Sequence, residues 1–206
     1  LTGLMNKFAF ETEVQRLLET APEQPLGLMM LGLDEFRHIN DLYDRLFGDE
    51  VIRIISQKMQ TMLPATATLY RLDGDEFGVI FRGGSREAVR RFYGNVQEAL
   101  DHQQVYEDKK YYCTISGGCA FSPENGSGYL QLIKYANYSL EYAKSKGKHR
   151  MYCFSGKILE HKERSLELTE LLRESVDNGF RGFELYYQPQ VYASDGRLRG
   201  MEALCR

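Results

Sequence analysis

The chain has 206 residues, enough for one substantial domain and part of a second, with 43% apolar and 27% charged residues. That balance predicts an ordinary globular core rather than disorder. The net charge of −3 argues against a nucleic-acid polymer as partner, because such binding needs a basic surface.

In chain order, Asn6 is placed to cap a helix running to about Thr20, with Phe8, Val14, Leu17 and Leu18 on its apolar side. "PLGLMMLGLDEF" (25–36) is almost continuously apolar, which suits a strand buried on both faces in mid-sheet. A second helix fits 48–62, with Val51, Ile54, Ile55 and Met59 at helical spacing, and Pro64 closes it. "ATLYRLDGDEFGVIF" reads as strand, turn, strand, with Asp73-Gly74 as the turn signal. A polar helix follows over 85–100, and 110–121 reads as one strand in which Gly117 and Gly118 imply a bulge or a close backbone approach. A helix over 129–148 has Leu132, Ile133, Ala136, Leu140 and Ala143 as its inner stripe and Gly147 at its C-terminal cap, before a short strand over 150–154. This order predicts an α+β fold, a ferredoxin-like or palm core with a central, mostly antiparallel sheet flanked by helices. Residues 1–155 form that domain, 156–179 a connecting helix, and 180–206 a hairpin around Ser194-Asp195-Gly196 that is too small to stand alone.

The four cysteines, Cys113, Cys119, Cys153 and Cys205, form no CxxC pair and lie near no histidine at zinc spacing. Reduced thiols in a cytoplasmic protein are expected. No apolar run approaches a membrane span and no signal peptide is visible, so no membrane contact is expected of this stretch. The chain starts at Leu1 and stops at Arg206 in mid-pattern, which reads as a piece of a longer protein, itself free to carry a membrane anchor.

Asp34 ends the buried strand, Gly32 shares its face, and Asp75 and Glu76 sit at the hairpin. If the two strands are neighbours, Asp34 and Asp75 meet at one sheet edge. Oxygen ligands there suit Mg²⁺, which takes one or two carboxylates plus substrate phosphates. Backbone amides near Gly74 offer close approach to a phosphate. Lys144 and Lys148, four residues apart near a helix end, add positive charge. A second reading stands beside each: solvated acids at a hairpin tip, lysines complementing a helix dipole, Asn40 and Asp49 as helix caps, and Tyr70, Tyr111 and Tyr112 as packing residues.

"RLDGDEFGVIF" resembles the signature of GGDEF domains, the diguanylate cyclases that join two GTP into cyclic di-GMP. "LTGLMNKFAF", "LDEFRHINDLYDRLFGDEVI", "TISGGCAF" and "YANYSLEYAKSKGKHR" resemble further segments of that family, in the right order over about residues 1–154. The resemblance implies guanine contacts at Asn40 and Asp49 and triphosphate contacts at Arg37, Lys144 and Lys148, with the backbone of Gly74 beside them. It implies Mg²⁺ at Asp75 and the backbone carbonyl of Leu33, with Asp34 nearby, and a catalytic role for Asp75 and Glu76. The tail "FELYYQPQVYASDGRLRGMEALCR" resembles the start of an EAL domain, a cyclic di-GMP phosphodiesterase. There Gln188 and Arg206 match dinucleotide contacts and Glu202 a metal ligand.

The departures are specific. Gly32 stands where the family's first strand supplies a metal-binding aspartate. Asp73 replaces the first glycine of the motif, adding charge and a Cβ beside the phosphates. Asp44-Arg45 replaces a Gly-His pair. The inhibitory product site is absent, since its positions read Pro64-Ala65-Thr66-Ala67. The sequence therefore predicts a weakened metal site and a domain that binds GTP and regulates an EAL domain in cis without cyclising. The alternatives are an active cyclase, which would need a homodimer because each active site supplies one GTP, and a non-catalytic interaction module.

Overall fold

The computed structural model describes all 206 residues, which divide into two compact units, Leu1–Leu159 and Glu160–Arg206. The first is built from α1 (Lys7–Thr20), β1 (Leu26–Leu33), α2 (Phe36–Leu42), α3 (Arg45–Met62), β2 (Ala67–Asp73), β3 (Glu76–Arg82), α4 (Arg86–Leu100), β4 (Gln104–Tyr106), β5 (Lys109–Tyr111), β6 (Ile115–Ser122), α5 (Tyr129–Ser145) and β7 (Met151–Cys153). Five strands form one sheet in the order β2-β3-β1-β6-β7. Only the β6–β7 pair is parallel, so the expected α+β core with a mostly antiparallel sheet is what forms.

All eight residues of β1 are buried, as its apolar run predicts for a strand in mid-sheet. Period-two alternation sends Met29, Leu31 and Leu33 into a core with α3 and α4, and Leu26, Leu28 and Met30 into a second core with α1 and α5. The Asn6 side chain caps α1 by accepting from the Ala9 N–H at 3.0 Å. Phe8, expected on the apolar side, is exposed, and Phe10 takes the buried position with Val14. On α3, Ile52 rather than Ile54 is fully buried beside Val51, Ile55 and Met59. Tyr70 and Tyr111 are packing residues, whereas Tyr112 is exposed.

Three local features differ from expectation. A seven-residue helix, α2, fills the segment after β1; no side chain caps it, so its start carries no sequence signal. The strand expected over 110–121 is interrupted: β4 and β5 form a small separate hairpin, and only β6 joins the main sheet. The β2–β3 loop is Gly74-Asp75, one residue later than the Asp-Gly signal, because Asp73 still pairs with Glu76 after an irregularity between Arg71 and Asp73. Gly74 supplies the positive φ there, 45°.

The second unit includes most of α6 (Gly156–Asp177) and the antiparallel pair β8 (Leu185–Val191) and β9 (Leu198–Cys205). The division falls inside α6 rather than ahead of it. All seven residues of β8 are exposed, as expected of a hairpin with no core of its own. All four cysteines are free thiols. No helix is long and apolar enough to cross a membrane.

The pairing of β6 with β1 is unbroken through Gly117 and Gly118, so these glycines make no bulge. Gly118 is a close approach: a Cβ there would run into the Leu140 backbone and the Ala136 carbonyl of α5. Gly118→Ala is expected to cost roughly 3 kcal/mol and to lower the melting temperature by roughly 5–10 °C, checked by calorimetry. An independent tie joins α1 to β3: Glu13 accepts from Arg16 at 2.8 Å and from Arg82 at 2.9 Å. The hydrogen bonds from Arg16, with Arg82 assisting, hold the Glu13 carboxyl down at about 2. A depressed carboxyl stabilises the fold above pH ~4.5 and loses that contribution as pH falls towards ~2. Glu13→Gln should therefore lower stability by about 1 kcal/mol at neutral pH and leave the two proteins equal near pH 2, measured by urea denaturation across that range.

Candidate functional site

A cavity of about 430 Å³ opens between the C-terminal end of β1, α2, α3 and the β2–β3 turn. Leu33, Arg37, Asn40, Asp49, Gly74 and Asp75, scattered over forty-odd positions of sequence, all line it. The backbone of β1 is tied to the turn by the Leu33 N–H donating to the Asp75 carbonyl at 3.2 Å. Arg71 reinforces the turn, donating through two nitrogens to the Gly74 carbonyl at 3.1 and 2.9 Å.

Neither Asn40 nor Asp49 is a helix cap. That part is taken at α3 by Asp44, whose carboxylate accepts from the Phe47 N–H at 2.8 Å. The Asn40 amide oxygen is buried with no hydrogen-bond partner. Buried polar atoms nearly always have one, so this oxygen is an exception on a residue that lines the cavity. Its position depends on Gly48 of α3, where any Cβ would overlap the Asn40 amide. The only sign of this role in the sequence is a glycine in the interior of a helix. Arg45 and Arg71 also line the cavity without having been expected there.

Asp34 is not brought to Asp75. Its carboxylate turns away, accepting from Thr114 Oγ1 at 2.8 Å, Ser116 Oγ at 2.7 Å and the His149 N–H at 3.0 Å. The residue is buried, at 6% exposure. Lys148 and His149 both adopt left-handed backbone conformations, with φ of 59° and 48°, which aims the His149 amide at Asp34. Lys148 then reaches the cavity rim: its Nζ pairs with Glu35 Oε1 at 2.7 Å. That bond pulls the Glu35 carboxyl below its ordinary range and raises the Lys148 amine.

Glu76 and Asp73 do not line the cavity. They face the α1–α5 side of the sheet, in a second cavity of about 370 Å³ with Lys7, Phe10 and Ile133. Glu76 lies directly across β3 from Gly32. Above Gly32 sits Lys144, whose Nζ is 2.8 Å from the point a Cβ at that position would occupy.

These geometries bear on Mg²⁺, which needs near-octahedral oxygen ligands at about 2.0–2.1 Å. Gly32 offers no side chain, both Asp34 oxygens are engaged, and an ammonium fills the space over Gly32. Asp75 and the Leu33 carbonyl are what remains of the implied set. No group of three or more His, Cys, Asp or Glu side chains gathers anywhere in the structure to hold a metal. The residues at this strand end do not fit a divalent ion.

The sequence profile of the family described as "Diguanylate cyclase, GGDEF domain" matches residues 1–150. The chain belongs to the GGDEF family. It is a domain protein of cyclic di-GMP signalling, and its palm-like sheet and helices are those of GGDEF structures. The GGDEF domain of YfiN (TpbB) from Pseudomonas aeruginosa superposes with a TM-score of 0.70 at 26% identity, covering 75% of this chain and 99% of that one. Among curated relatives, the cyclic di-GMP phosphodiesterase PdeR of Escherichia coli is 29% identical over 206 residues, and the phosphodiesterase NbdA of P. aeruginosa 28% over 208. The diguanylate cyclase VdcA of Vibrio cholerae is 30% identical over 154 residues, 73% of this chain and 45% of that protein. The chain spans 31% of the length of PdeR and 26% of NbdA.

In the second unit, Gln188 and Glu202 face each other across β8–β9, and the Arg206 guanidinium lies 5.2 Å from the Tyr186 ring centre.

Asp34 acts as a buried clamp in this GGDEF domain. Asp34→Ala removes three hydrogen bonds to a carboxylate and is expected to destabilise the fold by roughly 3 kcal/mol in chemical denaturation. A metal ligand's loss would instead leave stability nearly unchanged without added metal.

Proposed function

We propose that this GGDEF domain binds GTP in the β1–α2–α3 cavity and acts as a regulatory input to an adjoining EAL phosphodiesterase, without making cyclic di-GMP. The unpartnered, buried Asn40 amide oxygen beside Asp49 carries the reading. A free carbonyl oxygen and a carboxylate are two acceptors, and guanine presents two neighbouring donors, N1–H and N2–H. Adenine offers one donor and one acceptor on the corresponding edge, so the same pair discriminates against it. Arg37 lies in the same cavity, and Lys148 reaches its rim, to meet the phosphates.

In cyclisation the 3′-hydroxyl of one GTP attacks the α-phosphorus of the other and pyrophosphate leaves, and metal ions ordinarily offset the charge at the attacking and leaving oxygens. Glycine at position 32, with Asp34 engaged elsewhere, supports a binding role over a catalytic one. The matches to PdeR and NbdA extend over the whole chain, past the GGDEF segment, which supports reading the second unit as the start of an EAL domain in cis. GTP would regulate that domain if it binds two states of the parent protein unequally.

A second reading, an active cyclase working as a homodimer, draws on Asp75 in the motif register and on the likeness to VdcA. Calorimetric titration with GTP, followed by chromatography for cyclic di-GMP, separates the two. The expected outcome is saturable heat with GTP, little with ATP, and no product. Asn40→Ala and Gly48→Ala should each weaken GTP binding about tenfold or more, the latter by displacing the Asn40 amide. Accumulating cyclic di-GMP would overturn the non-cyclising assignment.

A further inference from the structure

The end of β1 has a gap in its side-chain pattern and a cation seated in it. Gly32 has neighbours directly across on both sides, Glu76 on β3 and Ser116 on β6. Nothing projects from Gly32 itself. Into that space reaches Lys144 from α5, with Nζ 2.8 Å and Cε 3.2 Å from where a Cβ would be, backed by Leu140. The lysine is half-buried. Its ammonium makes no ion pair, unlike Lys148 one turn further along, which is held by Glu35.

Glu76, across from Gly32, and Asp34, two residues further along the chain, share this face but neither closes an ion pair with the ammonium, which keeps capacity for a further anion. The residues next to the ammonium in sequence and space lead to the nucleotide cavity. Leu33 follows Gly32 and lines that cavity, and Glu35, which does the same, holds Lys148. The two lysines thus meet the chain at successive points, Lys144 over Gly32 and Lys148 at Glu35 just beyond the end of β1. An ammonium is a compact point charge with three donors, suited to oxygens of a phosphate chain. It also excludes a divalent cation from the same place, by occupying it and by like-charge repulsion.

Resting on the GTP-binding reading above, we infer that Lys144, seated over Gly32, is a built-in substitute for the divalent ion, so that this domain takes the free, metal-uncomplexed nucleoside triphosphate. Magnesium then weakens binding rather than supporting it. The metal complex carries two fewer negative charges for Lys144 and Lys148 to engage, and no site remains to accept the ion. The domain would report the uncomplexed fraction of the nucleotide, a quantity set jointly by nucleotide and magnesium levels.

The test is calorimetric titration of the full chain with GTP, once in EDTA and once in excess Mg²⁺. Higher affinity in EDTA than in Mg²⁺ is the expected result, and equal affinity in the two overturns the inference. Binding that appears only with Mg²⁺ overturns the inference and leaves the GTP-binding reading intact. No binding under either condition overturns both. Two variants locate the effect. Lys144→Gln should lose about tenfold or more in EDTA and less in Mg²⁺. Gly32→Asp meets only the flexible end of Lys144, so the chain should fold, as its circular dichroism and melting temperature will show. The new carboxylate should capture the ammonium, reducing affinity in EDTA and making binding depend on Mg²⁺. Unchanged affinity of both variants in EDTA would refute the role given to Lys144.

Discussion

The carboxylate of Asp34 is the constraint on which the site end of the domain depends. It is one buried anion receiving hydrogen bonds from a hydroxyl of β6, a hydroxyl just ahead of β6 and one loop amide. A charge taken out of water needs such partners, and the partners are thereby fixed relative to one another. The end of β1, the start of β6 and the turn after α5 are drawn to a common point. Two consecutive non-glycine residues of that turn, Lys148 and His149, hold left-handed backbone conformations. Such conformations cost free energy, and the hydrogen bond to Asp34 offsets it. The placement of Lys148, and through it of Glu35 at the cavity rim, follows from this clamp.

A division of labour between the two faces of the sheet also follows. The α2–α3 side holds the cavity, with the Asn40 amide, Asp49 and three arginines. The α5 side supplies the lysines. Gly32 and Leu33 are consecutive residues whose alternation points one at each side, so the strand end is where the cavity side and the lysine side of the sheet meet. The motif acids are split in the same way. Asp75 belongs to the cavity and Glu76 to the opposite face, across from Gly32.

The fold was largely legible in the sequence because its signals are local. Eight apolar residues in a row announce β1, Asn6 announces α1, and the spacing on α5 selects its buried stripe. Where the reading slipped, a local signal was weak or was outweighed. The start of α2 has no capping side chain, and an irregularity in β2 moved the turn one residue past Asp-Gly. Within the site, residue types and their gathering in one cavity were readable for Asn40, Asp49 and Asp75. The orientation of Asp34 was not. Its partners Thr114 and Ser116 are 80 and 82 positions away, and two small hydroxyl residues carry no sign of what they will hold. Lys144 was identified as a cation, but its seat over Gly32 arises only when α5 is laid on the sheet.

Gly118 bears on how that helix is laid. With no side chain at this point, the backbone of α5 rests directly on β6 near Ala136 and Leu140. Helices usually meet sheets through layers of side chains, which deform and let the helix ride up or down. Here the contact is backbone on backbone and acts as a dead stop. The height of α5 is gauged by an uncharged contact that lies one turn before Lys144. The seat of the Lys144 ammonium is therefore set by the length of that side chain and the size of the one at position 32, and not by travel of the helix.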